Sequence, residues 1–166
     1  MNMGKNLTET LRGLKLLIFD VDGVFTDGSV YVNDRGEEML KFSRIDGKGI
    51  GLVGKAGMQV AVISQENSKA TRSRMEKLQI PEIHLGIEDK AKIYSELKQK
   101  YGLEDSEVAF CGDDVQDLEL LKLVGFAACP HNAQDLVKAE CDFVSQRSGA
   151  ENFVREICNM ILEIKS

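Results

Sequence analysis

Short apolar runs alternate along the chain with stretches in which apolar residues return every three or four positions. The runs 14–19 (LKLLIF), 60–63 (VAVI), Val108–Cys111 (VAFC), Phe126–Cys129 (FAAC) and Phe143–Val144 predict strands. Most are apolar at successive positions, as in strands covered on both faces. The stretches 47–55, 68–78, Lys90–Tyr101, 115–123, 134–139 and 152–164 predict helices. In the last of these, Phe153, Ile157, Met160, Ile161 and Ile164 share one stripe. One segment breaks the alternation. Residues 29–32 and 37–42 flank the tip Asn33-Asp34-Arg35-Gly36, which predicts a β-hairpin directly after the first strand.

Strands alternating with helices predict an α/β fold. The expected form is a Rossmann-like, doubly wound parallel sheet with a β-hairpin insertion after the first strand and no large cap domain. The length of 166 residues suits one domain spanning 1–166. Hydrophobic residues, at 43%, suffice to cover both faces of such a sheet.

The net charge of −6 argues against nucleic acid or an anionic membrane as partner. It leaves room for a small anionic substrate, because a bound divalent cation and a few placed lysines reverse the local sign. No apolar run approaches the roughly 18 residues of a membrane span, and residues 1–13 lack the apolar stretch of a leader. Cys111, Cys129, Cys141 and Cys158 have no C-x-x-C spacing and read as reduced core thiols. Together these features predict a cytoplasmic protein.

An open parallel sheet binds ligands outside the carboxyl ends of its strands. Asp20-Val21-Asp22-Gly23 follows the first strand, and Ser64 the second. Lys90 opens a helix, and Gly112-Asp113-Asp114, with Asp117 three residues on, follows 108–111. Each type has a task in phosphoryl transfer. Asp20 is placed to attack phosphorus. Asp20 and Asp113 supply carboxylate oxygens for Mg²⁺. Ser64 and Lys90 take phosphoryl oxygens. Asp22 protonates the leaving oxygen and then deprotonates the attacking water, while Gly23 allows the sharp turn that places it. Asp114 and Asp117 read either as metal-site support or as caps of the following helix.

In order and spacing, Asp20-Val21-Asp22-Gly23-Val24, Ser64, Lys90 and Gly112-Asp113-Asp114-x-x-Asp117 resemble the four motifs of the haloacid dehalogenase superfamily of phosphatases. Further segments are similar to its small, capless 3-deoxy-D-manno-octulosonate 8-phosphate phosphatase subfamily. These are 22–28 (DGVFTDG), the hairpin, 44–50 (RIDGKGI) and 149–156 (GAENFVRE). The resemblance implies Mg²⁺ held by Asp20, the Asp22 carbonyl and Asp113, with a small-molecule sugar acid phosphate as substrate. It also implies a homotetramer in which hairpins pack together and a neighbouring subunit helps cover each site. Gly112, Asp114 and Asp117 become supporting residues. The substrate-facing set becomes Thr26, Arg44, Asp46, Gly47, Gln65, Glu66, Lys77, Glu151 and Arg155.

Two segments depart from the octulosonate pattern. Ser64-Gln65-Glu66 stands where that branch has a Thr-Gly-Arg type motif, and Gly149-Ala150-Glu151-Asn152 where it has Gly-Gly-Arg-Gly. Glu66 and Glu151 thus replace two arginines. With Lys77 eleven residues past Glu66, they resemble a sister branch acting on nonulosonate, sialic-type 9-phosphates. A carboxylate accepts hydrogen bonds from sugar hydroxyls, where Arg would favour the sugar carboxylate. The expectation therefore leans towards the nine-carbon branch.

Two other readings compete. A receiver-like signalling domain also gathers acids, a hydroxyl and a lysine at strand ends, but its phosphoacceptor lies on a middle strand. A non-catalytic oligomerisation module of sugar-acid activation would not need every motif acid, and this chain retains them all. Gly49-Ile50-Gly51-Leu52-Val53-Gly54 fits a dinucleotide pattern, but no clear strand precedes it, so its glycines read as helix-packing positions. His84 and His131 stand alone, without metal-ligand spacing, and read as surface or capping residues, and Arg72, Arg74 and Lys77 on one helix read most simply as a solvated face.

Overall fold

The computed structural model describes residues 6–165. Residues 1–5, where the leader reading begins, and residue 166 lie outside the described residues. β1 (Leu16–Phe19) is followed by a hairpin of β2 (Tyr31–Val32) and β3 (Glu38–Met39), then by α2 (Arg44–Lys55) and β4 (Gln59–Ser64). α3 (Lys69–Lys77), β5 (Glu82–Leu85), α4 (Lys90–Tyr101) and β6 (Val108–Cys111) come next. α5 (Leu118–Leu123), β7 (Phe126–Cys129), α6 (Asp135–Glu140), β8 (Phe143–Val144) and α7 (Phe153–Lys165) complete the chain, and α1 (Leu7–Gly13) precedes β1.

Six strands form one sheet in the order β5-β4-β1-β6-β7-β8, with every pair parallel. Side chains of β1 divide between its faces, as strand geometry requires. Leu17 and Phe19 enter one core with Ile50 and Val53 of α2, Met75 of α3 and Ile157 and Ile161 of α7. Leu16 and Ile18 enter the other with Tyr94 and Leu97 of α4, Leu120 of α5 and Val137 of α6. This is the doubly wound sheet that the alternation predicts, with the hairpin inserted after β1 and no large cap.

Several boundaries move. α2 starts three residues before the expected 47 because Ser43 caps it, accepting from the N–H groups of Ile45 and Asp46. The expected helix 115–123 is divided into a 3₁₀ turn at Val115–Asp117 and the short α5. α1 and β5 were not anticipated. β5 reads Glu-Ile-His-Leu, so polar residues interrupt the apolar run, and it lies at the sheet edge. Among the described residues, no helix is long and apolar enough to cross a membrane.

Candidate active site

The central strands β4, β1 and β6 lie side by side, so Ser64, Asp20 and Asp113 emerge together at their carboxyl ends. The Asp20 N–H donates to the Cys111 carbonyl at 2.8 Å, which continues the β1–β6 pairing by one residue and sets Asp20 beside Gly112. The chain then turns tightly. The N–H groups of Val24, Phe25 and Thr26 all point at the Val21 carbonyl, at 3.2, 2.8 and 3.1 Å. The Thr26 hydroxyl accepts from the N–H groups of Gly23 and Gly28, at 3.1 and 3.2 Å. Gly23 has φ +81°, and a Cβ there would stand 2.0 Å from Asp113 Oδ2.

Lys90 is the first residue of α4, whose cap Asp89 accepts from the Lys92 N–H at 2.9 Å. Its ammonium lies 2.8 Å from Asp20 Oδ1 and 2.6 Å from Asp117 Oδ1, and all three residues are buried. Asp117 Oδ2 accepts from the N–H groups of Asp113 and Asp114, at 3.0 and 3.3 Å. Gly112 makes that possible, since a Cβ there would lie 2.5 Å from Asp117 Oδ2. Asp117 therefore joins the lysine to the turn carrying Asp113. The Asp114 carboxylate instead accepts from the Val115 N–H at 2.7 Å and caps the 3₁₀ turn, the capping alternative among its two readings.

Asp20, Asp113 and Asp117 each offer an oxygen within 4.8 Å of the others. Burial pushes the Asp20 carboxyl well above its usual range, and the neighbouring Asp117 adds to this. Lys90 offsets only part of it. Burial, then Asp20 and Asp117, push Asp113 up to about 8. Burial alone would lower Lys90, but Asp20 and Asp117 outweigh it and hold the lysine raised. Asp113 Oδ1 is buried and has no hydrogen-bond partner. Crowded carboxylates sharing one lysine, with one oxygen left over, fit a hard divalent cation, which would supply the missing charge and take that oxygen.

Asp22 faces Ser64. The Ser64 hydroxyl donates to Asp22 Oδ2 at 3.5 Å and accepts from the Glu66 N–H at 3.2 Å. Burial raises Asp22, and Glu66 adds to this. The Ser64 hydrogen bond and Lys90 oppose, and Glu38 of the hairpin adds a little more. A carboxyl so placed holds its proton more readily than an exposed one.

The expected substrate-facing residues separate into two groups. Arg44, Gln65, Glu66 and Glu151 are exposed on the loops and helix start at this edge of the sheet. Glu151 lies 3.4 Å from the Lys41 ammonium, which also reaches Asp27 at 3.5 Å. The other five are differently engaged. Thr26 is fully buried as the brace of its own loop. Asp46 lies inside α2, fully buried, and accepts from the Arg155 N–H at 2.8 Å, so it caps α7 from a neighbouring helix. Gly47 faces Leu78 and Arg74, where a Cβ would lie 2.7–2.8 Å away. Lys77 ends α3, some 12 Å along the helix axis from the end near Ser64. The Arg155 guanidinium is held by Asn159 Oδ1 at 2.8 Å.

Outside the site, Arg72 and Lys77 are exposed, while Arg74 is partly buried and donates to the Ser43 carbonyl at 3.0 Å. Gly49 packs on Arg155 and Cys158, as a helix-packing glycine should. All four cysteines are free. Sequence reasoning passed over Asn132, which donates to the Gly23 carbonyl at 2.9 Å and accepts from the Gly149 N–H at 2.8 Å. Its setting, Pro130-His131-Asn132-Ala133, reads as an ordinary turn.

Residues 57–154 match the family of haloacid dehalogenase-like hydrolases. The 3-deoxy-D-manno-octulosonate 8-phosphate phosphatase KdsC of Escherichia coli K12 is 33% identical over 151 residues, covering 91% of this chain and 80% of the relative. The crystal structure of the Moraxella catarrhalis 3-deoxy-D-manno-octulosonate 8-phosphate phosphatase, in complex with magnesium ion, phosphate ion and KDO, superposes with a TM-score of 0.92 at 31% identity, covering 95% and 91% of the two chains. The crystal structure of the Yersinia pestis 3-deoxy-D-manno-octulosonate 8-phosphate phosphatase superposes with a TM-score of 0.93 at 31% identity, covering 96% and 86%. With its acids, serine and lysine gathered at the ends of three adjacent strands and the following helix, the chain belongs to the haloacid dehalogenase-like hydrolases and is a phosphatase similar to the 3-deoxy-D-manno-octulosonate 8-phosphate phosphatases.

Proposed function

We propose that the protein hydrolyses the phosphate monoester of a 2-keto-3-deoxy sugar acid, with Mg²⁺ bound by Asp20, Asp113 and the Asp22 carbonyl. The observation that carries this reading is the grouping of Asp20, Asp113 and Asp117 within 4.8 Å, with Lys90 between Asp20 and Asp117 and one buried Asp113 oxygen left without a hydrogen-bond partner. The cation, when bound, screens the negative charge between nucleophile and phosphate.

The chain's own residues do the rest. An Asp20 oxygen attacks phosphorus as the ester P–O bond breaks, giving an aspartyl-phosphate. Lys90 and the Ser64 hydroxyl neutralise and orient phosphoryl oxygens. Asp22 gives its proton to the departing sugar oxygen. The resulting Asp22 carboxylate then takes a proton from water as that water attacks phosphorus and releases Asp20. The raised Asp22 suits the first role, and its presence beside Asp20 supports turnover over storage of the phosphoryl group. Arg44, Gln65, Glu66 and Glu151 are the residues we assign to the sugar.

The relatives support octulosonate 8-phosphate as substrate. Glu66 supports a second reading, a nonulosonate 9-phosphate. It is close enough to raise Asp22, and it offers an acceptor to a sugar hydroxyl where an arginine would favour a carboxylate. Side-by-side turnover of the two phosphates with Mg²⁺ decides between them, and Asp20→Asn should abolish both activities. Turnover surviving that substitution would falsify the mechanism.

A homotetramer is part of the same proposal. Val30, Tyr31, Val32 and Met39 of the hairpin are each at least half exposed, and exposed apolar side chains grouped on one element mark an interaction surface. Light scattering of the purified protein tests the assembly, with a monomer as the contrary result.

A further inference from the structure

The loop after β7 ties together three segments around the site. Asn132 Nδ2 donates to the Gly23 carbonyl at 2.9 Å, and Asn132 Oδ1 accepts from the Gly149 N–H at 2.8 Å. The Gln134 N–H donates to the Asp113 carbonyl at 2.9 Å, and the His131 N–H to the Arg147 carbonyl at 2.9 Å. The segment at Gly149 nests so closely that a Cβ there would lie 2.1 Å from the Gly23 oxygen and 2.2 Å from the Thr26 oxygen. The ties made by Gln134 and His131 are backbone bonds. Those to Gly23 and Gly149 run through one side chain, so a substitution at 132 can cut them.

Gly23 directly follows Asp22. Its N–H is held by Thr26 and its carbonyl by Asn132, so both peptides flanking its Cα are fixed while it adopts φ +81°. The direction in which Asp22 leaves the loop depends on that geometry, because a rotation at Gly23 would be shared with the residue before it.

We propose that Asn132 is a positioning residue for Asp22. The inference rests on the phosphatase reading above. By holding the Gly23 carbonyl, Asn132 keeps the Asp22 carboxyl aimed at the leaving oxygen. In the first half-reaction the bond between phosphorus and the sugar oxygen breaks, and that oxygen takes the Asp22 proton. An aryl phosphate departs as a stable phenolate and needs no proton. A misplaced Asp22 therefore penalises an alkyl phosphate far more than an aryl one, whereas a general loss of structure penalises both alike.

The test compares kcat/KM, which reports the first half-reaction, for the sugar acid phosphate and for p-nitrophenyl phosphate, both with Mg²⁺. Asn132→Ala removes both hydrogen bonds. Asn132→Asp keeps the acceptor for Gly149 and loses only the donor to Gly23. Both variants should lose about tenfold or more on the sugar phosphate and less than about threefold on p-nitrophenyl phosphate, as Asp22→Asn should more strongly. Equal losses on the two substrates, or no loss on either, overturn the proposal. Wild-type protein inactive on both, or an Asp22→Asn variant indifferent to leaving group, would instead strike the phosphatase reading or the acid assignment, and the proposal with it.

Discussion

Asp113 occupies the space that a side chain on Gly23 would need, its Oδ2 lying 2.0 Å from where that Cβ would stand. The loop bearing Asp22 and the turn bearing Asp113 can therefore close on each other only with glycine at 23. The positive φ of Gly23 adds a second demand for the same residue. Gly23→Ala should cost about 100-fold or more in kcat/KM, the scale of a displacement near 1 Å at reacting groups. It should also weaken the rise in melting temperature that Mg²⁺ gives. Kinetics and thermal melts with and without Mg²⁺ check both effects, and wild-type behaviour in each would contradict the packing argument.

Lys90 supplies the cation between Asp20 and Asp117, and none of the three is more than 4% exposed. Removing one partner of a buried ionic group leaves uncompensated charge, typically at about 3–5 kcal/mol. Lys90→Met, similar in length but uncharged, should lower stability by that order and reduce turnover by at least about 100-fold. Urea denaturation and steady-state kinetics measure the two losses separately. Retained stability would mean that protonation of Asp20, which burial already favours, absorbs the change.

The contrast between Asp20 and Asp46 explains how far the sequence could be read. Asp20, Ser64 and Asp113 were legible because each ends an apolar run, and the ends of adjacent parallel strands converge whatever the details of packing. Lys90 was legible as the opening residue of a helix at that same edge. Asp46 precedes a glycine at the start of a helix and looks no different, yet it faces inward to cap a helix whose residues lie 109 positions later. Asn132 carries no local signal either, since its partners are backbone groups of Gly23 and Gly149. The fold followed the hydrophobic pattern closely, and it escaped notice where the pattern thins, at the polar edge strand β5 and the short α1.

Proton and metal compete for the same acids. Asp20 and Asp113 hold protons more tightly in the folded chain than at their ordinary value of 3.8, Asp113 up to about 8. Between those limits the metal-free folded state binds more protons than the unfolded one, so this pair's contribution to stability falls as pH rises through the window. Mg²⁺ requires the deprotonated carboxylates. The increase in melting temperature on adding millimolar Mg²⁺ should therefore be clearly larger at about pH 8.5 than at about pH 6. Thermal melts in matched buffers, with chelator as the zero, provide the comparison. An equal gain at both pH values would place the cation elsewhere than on these acids.

Asp46 offers the sharpest separation between a substrate role and a structural one. Its Oδ1 accepts from the Arg155 N–H, satisfying an N–H near the start of α7 that lacks an intrahelical partner, while its Oδ2 is buried without a partner. Asp46→Ala removes the capping acceptor and should destabilise the protein by about 1–2 kcal/mol, with KM for the sugar phosphate nearly unchanged. Asp46→Asn keeps an oxygen for the Arg155 N–H and removes a charge that burial disfavours, so it should lie close to wild type in stability. A carboxylate that gripped the sugar would give the opposite pattern, because both substitutions would raise KM, and the loss of charge in Asn would matter as much as the loss of the whole group in Ala. Denaturation midpoints and KM values for the two variants distinguish the roles without any further structure.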